Sequence, residues 1–88
     1  MKVRADKNFD RNFKKRIQSN HKLSSQFNKR LKLFSENPSN SLLKNHHLEG
    51  AKKDLFSFSI TGDIRVIYKQ VTPEEVIFVD IGSHNQVY

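Results

Sequence analysis

The sequence predicts an α+β fold in which an N-terminal helical hairpin packs on one face of a twisted, mainly antiparallel sheet of four or five strands. Apolar residues recur at helical spacing in the first part of the chain and alternate at strand spacing in the last part. Gly, Pro and Asn-containing turns divide the last part into short runs. Because 88 residues suit one small domain, we expect a single domain over residues 1–88.

The N-terminal part predicts a short strand followed by two amphipathic helices. Lys2 to Ala5 is typical of a strand, and Asp6 is a suitable N-cap for a helix that ends near Gln18. After a Ser19-Asn20 connection, a second helix is expected from about His21 to Ser35. Their apolar stripes, which we assign to the core and not to base stacking, are Phe9, Phe13 and Ile17, and Leu23, Phe27, Leu31 and Phe34.

The next segment is rich in turn-forming residues. Asn37 to Asn40 contains Pro38, which ends the second helix because proline disfavours helix in the preceding residue and lacks an amide hydrogen. Ser41 to Asn45 is expected to form one helical turn, with Leu42 and Leu43 in the core.

Two adjacent histidines, His46 and His47, follow in a predicted loop. Neighbouring residues do not share a helix or strand face, and no cysteine or suitably spaced third histidine completes a metal site, so we expect no metal. Two interpretations remain: solvated loop residues, or proton donors beside a polyanion.

The last third of the chain predicts three strands. The first runs from Leu55 to Ile60 and turns through Thr61-Gly62-Asp63 into the second, Ile64 to Val71. In the first strand, Ser57 and Ser59 are expected to face outward, opposite the phenylalanines. In the second, Ile64, Val66 and Tyr68 form an apolar face.

The third strand of this part, Val76 to Ile81, is apolar on nearly both faces, which predicts a central position. Strict alternation places Val76, Phe78 and Asp80 on one face. A further short strand is possible at Gln86 to Tyr88. The sheet face away from the helices is expected to be open for function.

Charge divides the chain into two unequal parts. Residues 1–53 hold 14 Lys and Arg against 4 Asp and Glu, whereas residues 54–88 hold 2 against 5, and the whole chain carries a net charge of +7. This asymmetry favours a polyanionic partner, such as nucleic acid, an anionic membrane surface or an acidic protein. There is no cysteine for a disulfide, no apolar run long enough to span a bilayer and no signal-peptide pattern, so a cytoplasmic protein is expected.

Several motifs together resemble the RelE/ParE toxin superfamily, particularly its YafQ-like branch. The ordered set is Leu48-Glu49-Gly50, then Gly62-Asp63-Ile64-Arg65-Val66-Ile67-Tyr68, then Asp80-Ile81-Gly82-Ser83-His84, and finally Val87-Tyr88. It spans about half of the chain directly. The resemblance implies a type II toxin that cuts mRNA on the ribosome and is inhibited by a cognate antitoxin protein, without a cofactor.

The resemblance also implies site residues. Positions of the YafQ-like active site match His84, Tyr88, His46 and Asp63, and a RelE-like arginine matches Arg65. Cleavage by 2′-hydroxyl attack needs a base, an acid and cations, which histidine and arginine supply. Arg65 could equally pair with Asp80 or with a neighbouring Glu. We expect RNA to contact basic residues of the loop and helices: Lys52, Lys53, His47, Lys14, Lys15, Lys29 and Arg30.

Three positions depart from close YafQ relatives: Ser59 replaces a histidine, Ile64 a tryptophan and Asp80 an arginine. The loss of a cation at Asp80 weakens phosphate stabilisation. Two functional classes therefore stay open. One is the mRNA endonuclease; the other is a non-enzymatic binder, either a ParE-like gyrase inhibitor or an inactive homologue that only binds an antitoxin.

Overall fold

The N-terminal part folds into the predicted strand and two helices. The computed structural model describes all residues 1–88. Strand β1 spans Lys2–Ala5, helix α1 spans Lys7–Phe13 and continues as a π-helix over Lys14–Gln18, and helix α2 spans His21–Glu36. The Asp6 carboxylate accepts a hydrogen bond from the Phe9 amide at 2.8 Å, which confirms the predicted N-cap.

The remaining strands build one five-stranded mixed sheet. They are β2 (His46–His47), β3 (Leu55–Ser59), β4 (Ile64–Thr72) and β5 (Glu75–Ser83), and their order is β1-β5-β4-β3-β2. Only β1 and β5 are parallel. A last helical turn, α3, spans His84–Val87. The predicted α+β architecture is confirmed, and β5 lies inside the sheet as expected.

The helical hairpin covers one sheet face through a core rich in phenylalanine. Phe34 of α2 stacks on Phe58 of β3 with ring centroids 4.3 Å apart and planes 9° from parallel. Each fully buried phenylalanine stabilises the fold by about 1.5–3 kcal/mol relative to its exposed state. The predicted stripe residues Phe9, Ile17 and Phe27 are buried in the same cluster.

The predicted alternation of β5 is wrong beyond Phe78 because β5 contains a β-bulge. Tyr68 pairs with Phe78 but Ile67 pairs with Asp80, so Val79 is an extra residue in β5. After this extra residue, each side chain of β5 points to the sheet face opposite to the one that strict alternation predicts. Ile81 therefore joins Val76 and Phe78 in the core, and Asp80 moves to the opposite face.

Two predictions for the middle segment are also wrong. Ser41–Leu43 is a 3-10 turn that buries Leu43 but leaves Leu42 59% exposed, since successive residues of a turn point in different directions. The chain then reverses at Lys44, which has a positive φ of 48°. This reversal lets His46 and His47, predicted to be in a loop, pair with β3 as an edge strand.

The sheet face away from the hairpin is partly covered, contrary to expectation. The C-terminal residues predicted as a strand form α3, and Val87 packs with Leu48 and Ile67 in a second small apolar cluster. As a result Ser57 and Ser59 are buried, although they point away from the hairpin as predicted.

We expect Tyr68 to titrate late in alkaline solution. Its hydroxyl donates to Asn45 Oδ1 at 2.9 Å, and burial raises its pKa above the ordinary value of 10.0. Folded protein should thus lose stability as the pH rises above 10.0, where the unfolded chain deprotonates first. Absorbance titration of tyrosinate checks this. Tyr68→Phe should remove the late component and Tyr88→Phe should not; a late component that survives Tyr68→Phe contradicts the assignment.

Candidate active-site groove

The sheet face away from the hairpin carries several of the predicted site residues in adjacent rows. His46 pairs across strands with Ser57, and Arg65 pairs with Ser59 on one side and Gly82 on the other. Directly paired residues point to the same face of a sheet. The side chains of His46 and Arg65 therefore lie on the face opposite the helical hairpin.

Helix α3 folds back over this face and brings the end of the chain to it. Ser83 and Gln86 form a capping box, in which the Gln86 side chain accepts a hydrogen bond from the Ser83 amide at 2.8 Å. The turn is closed by a bond from the Tyr88 amide to the His84 carbonyl at 3.0 Å. The rings of His84 and Tyr88 meet edge to face, with centroids 4.4 Å apart.

These elements form the walls of an open groove with a volume of about 420 Å³. Its walls come from two distant parts of the sequence: the segment of strand β2 with the 3-10 turn Gly50–Lys52 that follows it, and the C-terminal turn α3 with Tyr88. The lining residues are His46, Leu48, Glu49, Ala51, Lys52, His84 and Tyr88. The structure thus brings together four of the predicted site residues. It adds Leu48, Glu49 and Ala51, which were not predicted as site residues although the first two belong to the Leu48-Glu49-Gly50 motif and Ala51 follows it.

Tyr88 and Lys52 hold the C-terminal turn in place. The Tyr88 hydroxyl donates to Ser57 Oγ at 2.7 Å, which ties the last residue to the middle of the sheet. The Lys52 ammonium group donates to the Val87 carbonyl and lies 6.0 Å from the centroid of the Tyr88 ring. Lys52 therefore both braces the turn and places a positive charge beside the groove.

The hydrogen bonding of His46 determines its tautomer. His46 Nδ1 lies 3.0 Å from the Lys44 carbonyl oxygen. A carbonyl oxygen can only accept, so Nδ1 carries a proton and donates it. In the neutral ring, Nε2 then has a free lone pair. The positive φ of Lys44 is part of the reversal that presents this carbonyl to His46.

Arg65 and Asp63 do not line the groove. Arg65 Nη1 donates to Ser59 Oγ at 2.9 Å, and its buried Nε has no hydrogen-bond partner. Ser59 therefore anchors the arginine. Asp63 lies in the exposed turn between β3 and β4.

The alternative in which Arg65 pairs with Asp80 is wrong. Asp80 instead forms an ion pair with Arg16, with Oδ1 3.4 Å from Nη1. Arg16 also donates to the Ile81 carbonyl at 3.0 Å, and its guanidinium lies only 2.8 Å from the position that a Cβ on Gly82 would occupy. The anion at position 80 is thus matched by a cation from the N-terminal half.

Arg16 belongs to a polar stripe that the sequence interpretation missed. Strand β1 pairs with β5 only as far as Phe78, and beyond this point the β5 edge faces α1 and its π-helical extension. Asn8 donates to the Val79 carbonyl at 2.7 Å and Asn12 donates to Asp80 at 2.7 Å. The spacing of residues 8, 12 and 16, one position before the apolar stripe, is the signal that could have revealed them.

The basic residues predicted to contact RNA divide into two groups. Lys52 lines the groove, whereas Lys14, Lys15, Lys29 and Arg30 belong to the helical hairpin on the other face of the sheet. Arg30 donates to the Leu42 carbonyl at 2.6 Å and so has a structural contact. His47 points away from His46, as neighbours in a strand do, and Lys53 is exposed next to Lys52.

The structure has neither a cluster of metal ligands nor a helix that could span a membrane. No three or more His, Cys, Asp or Glu side chains are grouped so that they could hold a metal ion. No helix has the length and apolar character needed to cross a membrane.

The chain is similar to known bacterial toxins in sequence and in fold. A sequence profile described as "Bacterial toxin of type II toxin-antitoxin system, YafQ" matches residues 1–88. The crystal structure of YafQ from E. coli superposes with a TM-score of 0.81 at 22% identity, covering 98% of this chain and 96% of that one. YafQ in an E. coli DinJ-YafQ complex gives a TM-score of 0.79 at 22% identity, with coverage of 98% and 96%.

A copper-bound mutant toxin from Helicobacter pylori gives a TM-score of 0.76 at 25% identity, covering 100% of this chain and 99% of that one. A search of curated protein sequences found no match.

We expect Asn12→Ala to lower the free energy of unfolding by roughly 1–3 kcal/mol, because the Asp80 carboxylate loses its shortest side-chain donor in a half-buried position. Urea denaturation measures this. Asn28→Ala, on the exposed side of α2, is the matched control and should be neutral or slightly stabilising. Equal changes in the free energy of unfolding for the two variants would show that the bond from Asn12 to Asp80 does not stabilise the fold.

Proposed function

The chain belongs to the YafQ family of bacterial toxins of type II toxin-antitoxin systems, and we propose that it is a ribosome-dependent endoribonuclease that cuts mRNA in the cytoplasm. The observation that carries this proposal is the shared groove of His46 and His84, with Lys52 and Tyr88 beside them. Two imidazoles and a cation can supply the base, the acid and the positive charge that metal-independent RNA cleavage requires.

We assign the general base to His46. Its Nδ1–H donates to the Lys44 carbonyl, so the free Nε2 can accept the proton of a ribose 2′-hydroxyl. The resulting oxygen attacks the adjacent phosphorus and forms a 2′,3′-cyclic phosphate. The Lys44 carbonyl stabilises the imidazolium that forms, since the Nδ1–H bond strengthens when the ring becomes charged.

His84 is then the general acid. It protonates the 5′ oxygen as the bond from phosphorus to that oxygen breaks, which leaves a 5′-hydroxyl end. Its position at the start of α3 is held by the capping box and by the edge-to-face contact with Tyr88. The ring of Tyr88, which is 40% exposed, offers a surface on which a base can stack.

Positive charge for the phosphate comes from Lys52, which lies in the groove. Arg65 pairs with Gly82, two residues before His84, but it lies outside the groove lining and donates to Ser59. Asp80 carries its own counter-ion in Arg16, so its charge opposes the phosphate less than an unpaired carboxylate would. Because histidines serve as both acid and base, the proposed reaction needs no metal.

We expect His46→Ala and His84→Ala each to reduce the cleavage rate by about 10²–10⁴-fold, the usual contribution of one acid or base. Inducible expression followed by mapping of 5′ ends in cellular transcripts is the measurement. Wild type should produce 5′-hydroxyl ends within translated frames, and both variants should lose them and relieve growth arrest.

Two controls make this test decisive. Glu49→Gln removes the one carboxylate in the groove and should retain cleavage; if it alone abolished cleavage, Glu49 and not His46 would be the base. His21→Ala changes an exposed histidine outside the groove and should leave cleavage unchanged. Growth arrest without cleavage, accompanied by inhibited DNA supercoiling, would replace this proposal with a gyrase inhibitor.

We further propose that an acidic antitoxin binds this protein, as DinJ is bound in the E. coli complex with YafQ. The net charge of +7 and the unpaired cations of the hairpin favour such a partner. Co-expression with the protein encoded by the neighbouring gene should yield a stable complex at low salt, and its affinity should fall as salt is raised. Failure to co-purify at low salt contradicts the partnership.

A further inference from the structure

A second cavity lies beside the groove, on the other side of strand β2. Its volume is about 400 Å³, within the roughly 300–1,000 Å³ typical of small-molecule sites. Its walls are the Pro38–Ser41 loop, the Lys44–His47 segment, Phe56 and Tyr68. His46 lines both this cavity and the groove, so the two meet at the β2 edge of the sheet.

The sheet side of this cavity is a ladder of stacked rings. His47 stacks on Phe56 with centroids 4.7 Å apart, and Phe56 stacks on Tyr68 at 5.3 Å. Tyr68 is buried and Phe56 half-buried, whereas His47 at the end of the ladder is exposed. A flat ring at the exposed end of such a ladder offers a platform for one more aromatic ring.

The cavity is built before any ligand arrives, because Asn45 ties its two walls together. Asn45 Nδ2 donates to the Pro38 carbonyl at 3.1 Å, and Asn45 Oδ1 accepts from the Tyr68 hydroxyl at 2.9 Å. The loop and the sheet are thereby linked through one side chain. A preformed site binds a flexible ligand at a lower entropic cost.

The charges around the cavity favour an anionic ligand. None of its ten lining residues is acidic, and they include Lys44 and two histidines. The Lys44 ammonium group is in neither of the two ion pairs of the protein, which join Arg4 to Glu75 and Arg16 to Asp80. Lys44 is therefore free to contact a phosphate while Ser39, Ser41 and Asn40 offer polar groups to a base edge.

From the ring ladder, the preformed walls and the charge, we propose that this cavity is a nucleobase subsite. A base next to the cleaved phosphate stacks on His47, and the linking phosphate passes His46 into the groove. The subsite rests on the proposed ribonuclease function and adds to it the element that selects the neighbouring base.

Fluorescence of 2-aminopurine tests the subsite without requiring cleavage. The probe is a short single-stranded RNA with 2′-O-methyl riboses, which cannot be cut, carrying 2-aminopurine at each position in turn. Stacking on His47 should quench one position selectively. His47→Ala should abolish that quenching and raise Kd about tenfold, the size expected for one stacked base. His47→Phe should retain both the quenching and the wild-type Kd because phenylalanine keeps a flat ring.

The controls distinguish a failure of the subsite proposal from a failure of the ribonuclease proposal. His21→Ala should leave quenching and Kd unchanged, and thermal melting verifies that each variant is folded. The proposal is overturned if wild type does not bind the probe, if quenching survives His47→Ala, or if His47→Ala weakens antitoxin binding and leaves RNA binding intact. If His46→Ala and His84→Ala lose cleavage but no probe position is quenched by the wild type, the ribonuclease proposal stands and only the subsite proposal is wrong.

Discussion

The position of His84 depends on how strand β5 is held along both of its edges. One edge pairs with β4 throughout, whereas the other pairs first with β1 and then with the polar stripe of α1 and its π-helical extension. The bulge at Val79 lies where the partner changes from β1 to α1. Without Asn8 and Arg16, the carbonyls of Val79 and Ile81 would lose these donors, which is costly in a half-buried position. Without Asn12, the Asp80 carboxylate would lose its shortest side-chain donor.

The groove is assembled from segments that are not stable by themselves. Strand β2 has two residues and α3 has one turn, and neither would persist alone. The Tyr88 hydroxyl bonded to Ser57, the Lys52 ammonium bonded to Val87 and the cluster of Leu48, Ile67 and Val87 connect them to the sheet. Each contact joins residues far apart in the chain. The groove therefore forms only when the sheet is complete.

The basic surplus of the N-terminal half serves more than one role. Arg16 and Arg30 bond to carbonyl oxygens and so stabilise the fold, whereas Lys52 lies in the groove and Lys44 lines the second cavity. The cations on the hairpin lie on the opposite face of the sheet. They are suited to attracting an acidic partner, since long-range electrostatic attraction does not require contact with the groove.

The sequence by itself determined the helices, the strands of the last third and the core phenylalanines, because apolar periodicity, N-caps and turn residues act within a few positions. It also pointed to His46, His84, Lys52 and Tyr88. Tertiary structure alone decided the bulge in β5, the pairing of β2, the helical form of the C-terminus and the separation of Arg65 from the groove. Those features depend on contacts between residues that are far apart in the sequence; Asn8 and Val79, for example, are 71 positions apart. No local pattern specifies such a pairing.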